Sequence, residues 1–233
     1  MKIKAVLFDC DGVLVDTEYL KFQAWQNALA RQNIPLTLQE YQAVAGNSSK
    51  KILQLLIDKK NIPIPEETLI IRRKEYQRLQ EQGVPVIHEM VQFARYLSHN
   101  KETLGIKLAL ASSAPRKEIL LNLKTAQLDQ IFEVIVSGTE DLDAYEDPEG
   151  TNKPKPYIYI EASKQLNVPP EQCLVIEDTQ AGVEAATAAR MITLAVPNDI
   201  TKEQDFSKAT KVIHSIEELH FQFKNLFSNQ HKI

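Results

Sequence analysis

Cysteines and long hydrophobic runs are both scarce in this chain of 233 residues, which has only two cysteines. Cys10 and Cys173 are too few for a disulfide framework or for a zinc site built from four cysteines. No hydrophobic stretch is long enough to span a membrane, and Asp9 interrupts the N-terminal apolar run too early for a signal peptide. We therefore expect a protein of the reducing cytoplasm that does not bind membranes.

An excess of positive charge is also missing, since the formal net charge is −4. Proteins that bind nucleic acid neutralise phosphates with clustered lysine and arginine, so we expect no nucleic-acid partner. Hydrophobic residues make up 43% and charged residues 25% of the chain, as in ordinary globular proteins. The length predicts either one large domain or one domain with a second, smaller domain. A monomer is our expectation for the oligomeric state.

Hydrophobic periodicity divides the chain into two kinds of segment. Residues 4–8 form an apolar run that predicts a buried strand, and the tight turn Asp9-Cys10-Asp11-Gly12 follows it. Residues 17–82 have apolar side chains at helical spacing and predict three or four helices, with Phe22 and Trp25 in their core. From residue 85 onward, short apolar runs alternate with helical stretches.

This alternation predicts crossover units and therefore a parallel sheet. Further strands are expected at 106–111, 133–136, 173–176, 192–196 and 212–213, and helices at 116–128, 156–167 and 180–190. The predicted fold class is α/β, a doubly wound parallel-sheet core with a helical cap domain inserted after the first strand. We place the catalytic core at residues 1–16 and 84–233, and the cap at 17–83.

Polar side chains follow three of the predicted strands, at the point where each strand ends. They are Asp9 and Asp11 after the first run, Ser112 after 106–111, and Glu177 with Asp178 after 173–176. Ligands of open parallel sheets bind outside the carboxyl ends of the strands, so these groups should meet in one crevice. Clustered carboxylates repel one another unless a cation holds them, and oxygen ligands suit Mg²⁺. A carboxylate beside bound Mg²⁺ can attack phosphorus.

The turn D-x-D-G alone is weak evidence, because aspartate and glycine are common in turns. A calcium loop of the EF-hand kind is the rival metal-binding interpretation. It fails because Val13 stands at the third acidic position, Gly12 comes too early, and a strand precedes the site.

The stretch FDCDGVLVDTE resembles the first motif of the haloacid dehalogenase superfamily. More narrowly, it is similar to the branch with a helical cap that contains β-phosphoglucomutase and sugar-phosphate phosphatases. LALASSAP, NKPKP and CLVIEDTQAGVEAA resemble the second, third and fourth motifs, and all follow in the family's order. The resemblance covers nearly the whole chain.

The resemblance implies a role for each matching residue. Asp9 would be the nucleophile and a metal ligand. Asp11 would be the general acid/base and would offer its backbone carbonyl to the metal. Asp178, helped by Glu177, would complete a Mg²⁺ site. Lys153 would offset negative charge beside Asp9. The phosphate-binding residues are expected to be Gly12, Ser112, Ser113 and Lys153.

Three positions keep a second interpretation. Lys155 is the alternative to Lys153, although Lys153 directly precedes Pro154. Ser113 could instead cap the following helix, which is compatible with binding an anion. Thr179 is expected to cap a helix or to support the site rather than to react.

Substrate choice in this branch depends on the cap, where the sequence departs from relatives. Lys21 stands where many relatives have histidine, and Ser49 stands where β-phosphoglucomutase has an arginine that grips a second phosphate. Lys50 or Lys51 could substitute for that arginine, but lysine lacks its bidentate fork. We include Lys21, Ser49 and Lys50 among the substrate-binding candidates. Both departures count against a mutase. A cap lysine forming a Schiff base, as in phosphonate hydrolases of the superfamily, is a weaker alternative.

Residues 139–152 form an insertion with six acidic side chains directly before Lys153. A solvated surface loop is the simpler interpretation. The alternative is a loop that leans over the mouth of the cleft and disfavours highly anionic substrates.

The function that we predict is hydrolysis of a small phosphorylated metabolite, such as a sugar phosphate, through an aspartyl-phosphate. A phosphomutase similar to β-phosphoglucomutase is the second hypothesis. A catalytically idle binding or regulatory module is the third, and the intact set Asp9, Asp11, Ser112, Lys153 and Asp178 argues against it.

Overall fold

A computed structural model describes residues 2–228 and contains one parallel sheet of six strands. The strands are β1 (Ala5–Phe8), β2 (Lys107–Ser112), β3 (Val134–Ser137), β4 (Cys173–Glu177), β5 (Ile192–Ala195) and β6 (Lys211–Val212). Their order is β3-β2-β1-β4-β5-β6, and every pairing is parallel. The predicted parallel α/β sheet is therefore confirmed.

The chain reverses its direction of progress across the sheet between β1 and β4. Crossovers from β1 lead to β2 and β3 on one side, whereas β4, β5 and β6 extend the sheet on the other. A crevice forms outside the strand ends at such a switch point, and it is the usual ligand site of open α/β sheets.

Nine helices accompany this sheet in the described residues. They are α1 (Glu18–Ala30), α2 (Leu38–Gln42), α3 (Ser49–Lys60), α4 (Thr68–Glu81), α5 (His88–Leu104), α6 (Arg116–Thr125), α7 (Tyr157–Leu166), α8 (Gln180–Ala188) and α9 (Ile216–Ser228). None of these helices is long and apolar enough to cross a lipid bilayer.

Helices cover both faces of the sheet, and the alternation of side chains along β1 shows this. Val6 and Phe8 belong to one hydrophobic cluster, which includes residues of α5, α6 and α9. Ala5 and Leu7 point to the opposite face, where α7 and α8 pack. All four β1 side chains are buried, as a doubly covered parallel strand requires.

Helices α1–α4 follow β1 and form a hydrophobic cluster of their own. Phe22, Trp25 and Leu56 are buried in it, which confirms that Phe22 and Trp25 are core residues. Ile200, from the loop after β5, completes the same cluster. We call residues 17–83 the helical segment, and its boundaries as a separate domain stay a prediction.

The chain leaves and re-enters the core through two adjacent connections. Asp16 N donates to Pro85 O at 2.8 Å, and Ile87 N donates to Leu14 O at 3.0 Å. The two connections between the core and the helical segment therefore lie side by side.

Residues 99–105 form the last turns of α5 and its C-cap Gly105, whose φ of +64° suits glycine. One helix differs from the sequence prediction. Helix α9 was not predicted at all, and its Leu219 and Phe223 complete the hydrophobic cluster on one face of the sheet.

Burial predicts how two leucine substitutions differ. Leu56 is fully buried among α1–α4, whereas Leu120 is 47% exposed. We expect Leu56→Ala to lower the free energy of unfolding by about 2–5 kcal/mol, because it leaves a cavity. Leu120→Ala should lower it by less than about 0.5 kcal/mol. Urea unfolding followed by circular dichroism measures both, and equal losses would contradict the assignment of Leu56 to the core.

Candidate active site

The carboxyl ends of β1, β2 and β4 bring the predicted site residues together. Phe8 at the end of β1 lies beside Leu110 of β2 and Ile176 of β4. Asp9, the next residue, donates its backbone N–H to Ile176 O at 3.0 Å. Ser112 and Glu177 end their own strands one or two positions further on. The convergence expected for a parallel sheet is therefore present.

Lys153 lies between two buried carboxylates. Its Nζ is 2.6 Å from Asp9 Oδ1 and 2.6 Å from Glu177 Oε1, and none of the three side chains is more than 8% exposed. Burial alone would lower the pKa of Lys153, but the charges of Asp9 and Glu177 outweigh burial and raise it well above its usual range. Lys155, the alternative lysine, instead pairs with Glu149 and Asp147.

Asp9 is held against this lysine in a largely dry environment. Burial raises the pKa of Asp9 to about 7, although the Lys153 cation acts in the opposite direction. The neighbouring charges of Glu177 and Asp11 add to the increase. Without a further cation, the ionised form of Asp9 is disfavoured at this position.

Both carboxylate oxygens of Glu177 are occupied by donors of the protein. Oε1 accepts from Lys153 Nζ and from the Tyr159 hydroxyl at 2.7 Å. Oε2 accepts from Asp178 N and from the backbone and side chain of Thr179 at 3.0–3.1 Å. Burial would raise the pKa of Glu177, but Lys153 and the hydrogen bonds hold it below its usual range. Because both of its oxygens already accept from protein donors, Glu177 is better suited to holding Lys153 than to binding a metal, which was its expected role.

The first turn of α8 packs directly on Glu177. A Cβ atom at Gly182 would lie 1.8 Å from Glu177 Oε1, so only glycine fits there. Thr179 caps the helix by accepting from Gly182 N at 3.1 Å, which confirms its predicted capping role.

Asp178 keeps one oxygen without a partner. The residue is fully buried, and its Oδ2 accepts from Asn198 Nδ2 at 2.8 Å. Its Oδ1 is buried with no hydrogen-bond partner among residues 2–228. Burial, followed by the charges of Glu177 and Asp9, raises the pKa of Asp178 well above its usual range. A Cβ atom at Gly12 would lie 2.0 Å from Asp178 Oδ2, so the D-x-D-G turn approaches this carboxylate closely.

These observations fit a divalent cation held by few carboxylates. A buried carboxylate with an unpartnered oxygen beside a second acid is a favourable place for a cation. No group of three or more His, Cys, Asp or Glu side chains is arranged for a metal in the described part of the chain. Mg²⁺ commonly uses one or two carboxylates and completes its shell with water and phosphate, so Asp9 and Asp178 match its preference.

Asp11 lies between the core and the helical segment. Thr17 Oγ1 donates to Asp11 Oδ1 at 2.9 Å, and Ser112 Oγ donates to Oδ2 at 3.3 Å. Lys21 Nζ of α1 lies 3.9 Å from Oδ2, and it also forms a 2.6 Å ion pair with Glu18. Hydroxyl and cation donors from both sides therefore orient this carboxylate.

Ser112 and Ser113 lie in the loop before α6. Ser112 is buried, and its Oγ accepts from Ala114 N at 3.1 Å. Ser113 lines the cavity described below. The alternative that Ser113 caps α6 is wrong, because the N-cap residue is Pro115 and the helix begins at Arg116.

A cavity of about 480 Å³ lies between the strand ends and the helical segment. The core contributes Asp9, Asp11, Lys153 and Asp178 to its wall. The helical segment contributes Lys21, Tyr41, Ser49, Arg72, Arg73 and Tyr76. Lys50 is exposed and is not among the described residues that line this cavity.

Arg72 was not predicted from the sequence. Its guanidinium carbon lies 4.9 Å from the ring centroid of Tyr76 and 6.0 Å from that of Trp25. Its Nε is buried and has no hydrogen-bond partner in the described chain. The available signal was the pair Arg72-Arg73, four and three positions before the buried Tyr76 on the same helix.

The acidic segment 139–152 is attached to the core. Asp141 accepts from Ser137 N at 2.7 Å and also binds Arg116. Asp147 accepts from the Tyr157 hydroxyl at 2.9 Å. The segment contributes to the described cavity wall only through Thr139 and Asn152, and none of its carboxylates is among the described lining residues, which favours the surface-loop interpretation.

Comparisons with known proteins place this chain in one family. The model of the haloacid dehalogenase-like hydrolases matches residues 3–190. A phosphorylated carbohydrates phosphatase from Thermotoga maritima is 32% identical, over 80% of this chain and 82% of that protein. A beta-phosphoglucomutase from Bacillus subtilis is 28% identical, over 83% of each chain.

Solved structures agree with these sequence relatives. A HAD family hydrolase from Deinococcus radiodurans, with bound phosphate and sodium, has a TM-score of 0.74 and 28% identity, covering 96% of both chains. CbbY from Rhodobacter sphaeroides, in complex with phosphate, has a TM-score of 0.73 and 25% identity, covering 93% of this chain and 96% of CbbY.

The raised pKa of Asp9 predicts a pH-dependent stability in EDTA. Its folded-state pKa of about 7 exceeds the ordinary value of 3.8, so the folded state binds more protons between these values. The free energy of unfolding should therefore fall as pH rises from about 4 to 7. Asp9→Asn removes this penalty, so we expect it to stabilise the protein on the order of 2 kcal/mol more at pH 8 than at pH 5.

Urea unfolding at several pH values measures this difference. Asp143→Asn is the control, because Asp143 is an exposed aspartate outside the site. A parallel pH dependence in wild type and Asp9→Asn would contradict the raised pKa of Asp9.

Proposed function

Because the chain belongs to the haloacid dehalogenase-like hydrolases, we propose that it is a Mg²⁺-dependent phosphatase of small phosphorylated metabolites. The observation that carries this proposal is the pairing of Asp9 with Lys153 beside the unpartnered Asp178 oxygen, at the end of a cavity. Together they offer a nucleophile, a fixed cation and a cation site at one switch point of the sheet.

The proposed reaction has two steps, and Asp9 reacts in both. An oxygen of Asp9 attacks the phosphorus, the bond from phosphorus to the ester oxygen breaks, and Asp11 gives its proton to the leaving oxygen. Asp11 then removes a proton from water, which attacks the phosphorus and breaks its bond to Asp9. Inorganic phosphate leaves, and Asp9 and Asp11 regain their initial states.

Asp9, Asp178 and the backbone carbonyl of Asp11 are the proposed Mg²⁺ ligands. Bound Mg²⁺ supplies positive charge, which lets an anionic phosphate approach the carboxylate of Asp9. Glu177, originally predicted to help with the metal, is instead proposed to hold Lys153, since its oxygens are saturated by protein donors.

The proposed phosphate-binding residues surround Asp9. Lys153 offers a buried cation, Ser112 a hydroxyl and Ser113 a backbone N–H group near the strand ends. The backbone N–H of Gly12 already donates to Val15 O at 2.7 Å, so Gly12 would contribute through the close approach of its turn rather than as a donor. The position of Ser113 in the cavity wall supports this role.

We propose that residues 17–83 act as a cap over the core. Closure would exclude water during phosphoryl transfer, and opening would exchange substrate for product. The adjacent connections at Asp16 and Ile87 support a hinge there. A monomeric enzyme in the cytoplasm remains our expectation, and both cysteines are free and buried.

Phosphorylated carbohydrates are the proposed substrate class. The name of the Thermotoga maritima relative supports this choice. The cavity supports it too, because Lys21, Tyr41 and Arg72 of the helical segment contribute to its wall. Such groups can bind sugar hydroxyls or a second anionic group of the substrate.

A phosphomutase is the second candidate, and Arg72 is the observation that favours it. A mutase must hold a bisphosphate at both ends, and Arg72 could grip the distal phosphate in place of the arginine missing at Ser49. The similarity to a beta-phosphoglucomutase from Bacillus subtilis gives this candidate further support.

Phosphate release from a panel of phosphorylated metabolites tests the first proposal. We expect release with Mg²⁺, none in EDTA, and a loss of about a thousandfold or more in Asp9→Asn, which lacks the nucleophile. Asp143→Asn is the matched control and should keep wild-type activity. Isomerisation of glucose 1-phosphate without phosphate release would instead favour the mutase, and activity retained in Asp9→Asn would exclude an aspartyl-phosphate.

Arg72→Ala tests the assignment of substrate binding to the helical segment. We expect KM to rise about tenfold for substrates with a second anionic group, with a smaller rise for neutral-tailed substrates such as an aryl phosphate. Arg78→Ala on the same helix is the control, because Arg78 pairs with Glu75 and is not among the described cavity-lining residues. Equal KM changes in both variants would refute a specific role of Arg72.

A further inference from the structure

Asn198 follows β5 and binds the oxygen of Asp178 that the turn at Gly12 approaches. Its Nδ2 donates to Asp178 Oδ2 at 2.8 Å. Within the described chain, this single hydrogen bond orients the Asp178 carboxylate. The opposite oxygen, Oδ1, has no partner there. A donor that fixes one oxygen of a carboxylate determines where the other oxygen points.

The amide of Asn198 is itself fixed by its own loop. Its Oδ1 accepts from Ile200 N at 2.9 Å and from Thr201 N at 3.1 Å. Its backbone N donates to Thr201 Oγ1 at 3.1 Å, and Thr201 is fully buried. Because the amide oxygen already accepts two N–H groups, the amide nitrogen must face Asp178.

The same loop is attached to the helical segment. We call residues 197–204 the bridging loop. Gln42 Nε2 donates to Asp199 O at 2.9 Å, and Gln204 Nε2 donates to Ala45 O at 3.0 Å. Ile200 is buried in the hydrophobic cluster of α1–α4. A loop that belongs to the core in sequence therefore packs with the proposed cap.

The far end of the bridging loop returns to the core beside Asp178. Gln204 Oε1 accepts from Gln180 N at 2.8 Å, in the first turn of α8. One loop of eight residues thus contacts the cap, the start of α8 and the Asp178 carboxylate. Displacement of the cap would break the hydrogen bond from Gln42 to the bridging loop and the packing of Ile200 among α1–α4, and it would loosen the support of Asn198.

We propose that Asn198 is a positioning residue for the divalent-cation site at Asp178, and that the bridging loop couples cation binding to docking of the cap. This inference rests on the proposed function, because it assumes that Asp178 binds Mg²⁺. Residues that orient metal ligands typically change metal affinity 10- to 100-fold when they are removed. Coupling is reciprocal, so bound cation must also favour the docked cap.

Titration of the whole protein with Mg²⁺ alone, followed by calorimetry, tests the positioning role without measuring activity. We expect Asn198→Ala to weaken Mg²⁺ binding at least about tenfold. Asn198→Ser is the second variant, because a short hydroxyl can still accept from the loop backbone while it cannot reach Asp178. Asn100→Ala is the matched control, since the Asn100 amide also donates a 2.8 Å hydrogen bond, to Tyr96 O on α5.

Gln42→Ala tests the coupling from the side of the cap. Gln42 does not contact Asp178 and contacts the bridging loop through Asp199 O. We expect Mg²⁺ affinity to fall about fivefold in this variant. Hydrogen exchange gives a second readout: Mg²⁺ should slow exchange in residues 42–46 and 197–204 of the wild type, and this protection should be lost in Asn198→Ser.

The outcomes separate this inference from the proposed function. If the wild type binds no Mg²⁺, the proposed metal dependence and this inference both fail. If the wild type binds Mg²⁺ and the Asn198 variants bind it equally well, only the positioning role fails. If Gln42→Ala keeps wild-type affinity and Mg²⁺ leaves exchange in residues 42–46 unchanged, the coupling is refuted.

Discussion

The buried lysine between two carboxylates is the interaction on which the site depends. Asp9 follows β1 and Glu177 ends β4, so the switch point of the sheet places two acids side by side in a dry environment. Removing Lys153 would leave both carboxylates buried without a counter-charge, which costs several kcal/mol. Glu177 can serve this arrangement because Tyr159 and Thr179 satisfy the rest of its oxygens. The lysine therefore both stabilises the fold at this edge and prepares Asp9 for an anionic partner.

Glu177, Asp178 and Asp11 lie close together, but each carboxylate has a different environment because its hydrogen-bond partners differ. Both oxygens of Glu177 accept from protein donors, whereas Asp178 has one oxygen bound by Asn198 and one that is buried without a partner among residues 2–228. Asp11 is bound by groups that come from the helical segment as well as from the core, including Thr17 and Lys21. Three carboxylates at the adjacent ends of β1 and β4 thus have separate environments. In the proposed mechanism these environments correspond to holding Lys153, binding a cation and transferring a proton.

Strand ends were the part of the site that the sequence could predict, because parallel strands bring their carboxyl ends to one edge whatever the loops do. Contacts made across helices were harder to predict. Side chains on a helix turn about 100° per residue, so Ser49 faces the cavity while Lys50, one position later in α3, is exposed. Arg72 was missed for the same reason, since helical periodicity does not say which polar residue meets a cavity. Asn198 lies in an irregular loop, where no periodicity guides a prediction.

Charge along the cavity bears on the order in which ligands would assemble. The core side of its wall carries Asp9, Asp11 and Asp178 around the single cation of Lys153, and the helical segment adds Arg72 and Arg73. A phosphate group alone would be attracted by the arginines, whereas the three carboxylates outnumber Lys153 and would repel the phosphate near the proposed nucleophile. A divalent cation at Asp178 reverses this preference, because it neutralises the acidic end. In the proposed enzyme, cation binding should therefore precede productive substrate binding, and the cap contacts of the bridging loop would make the same event favour closure.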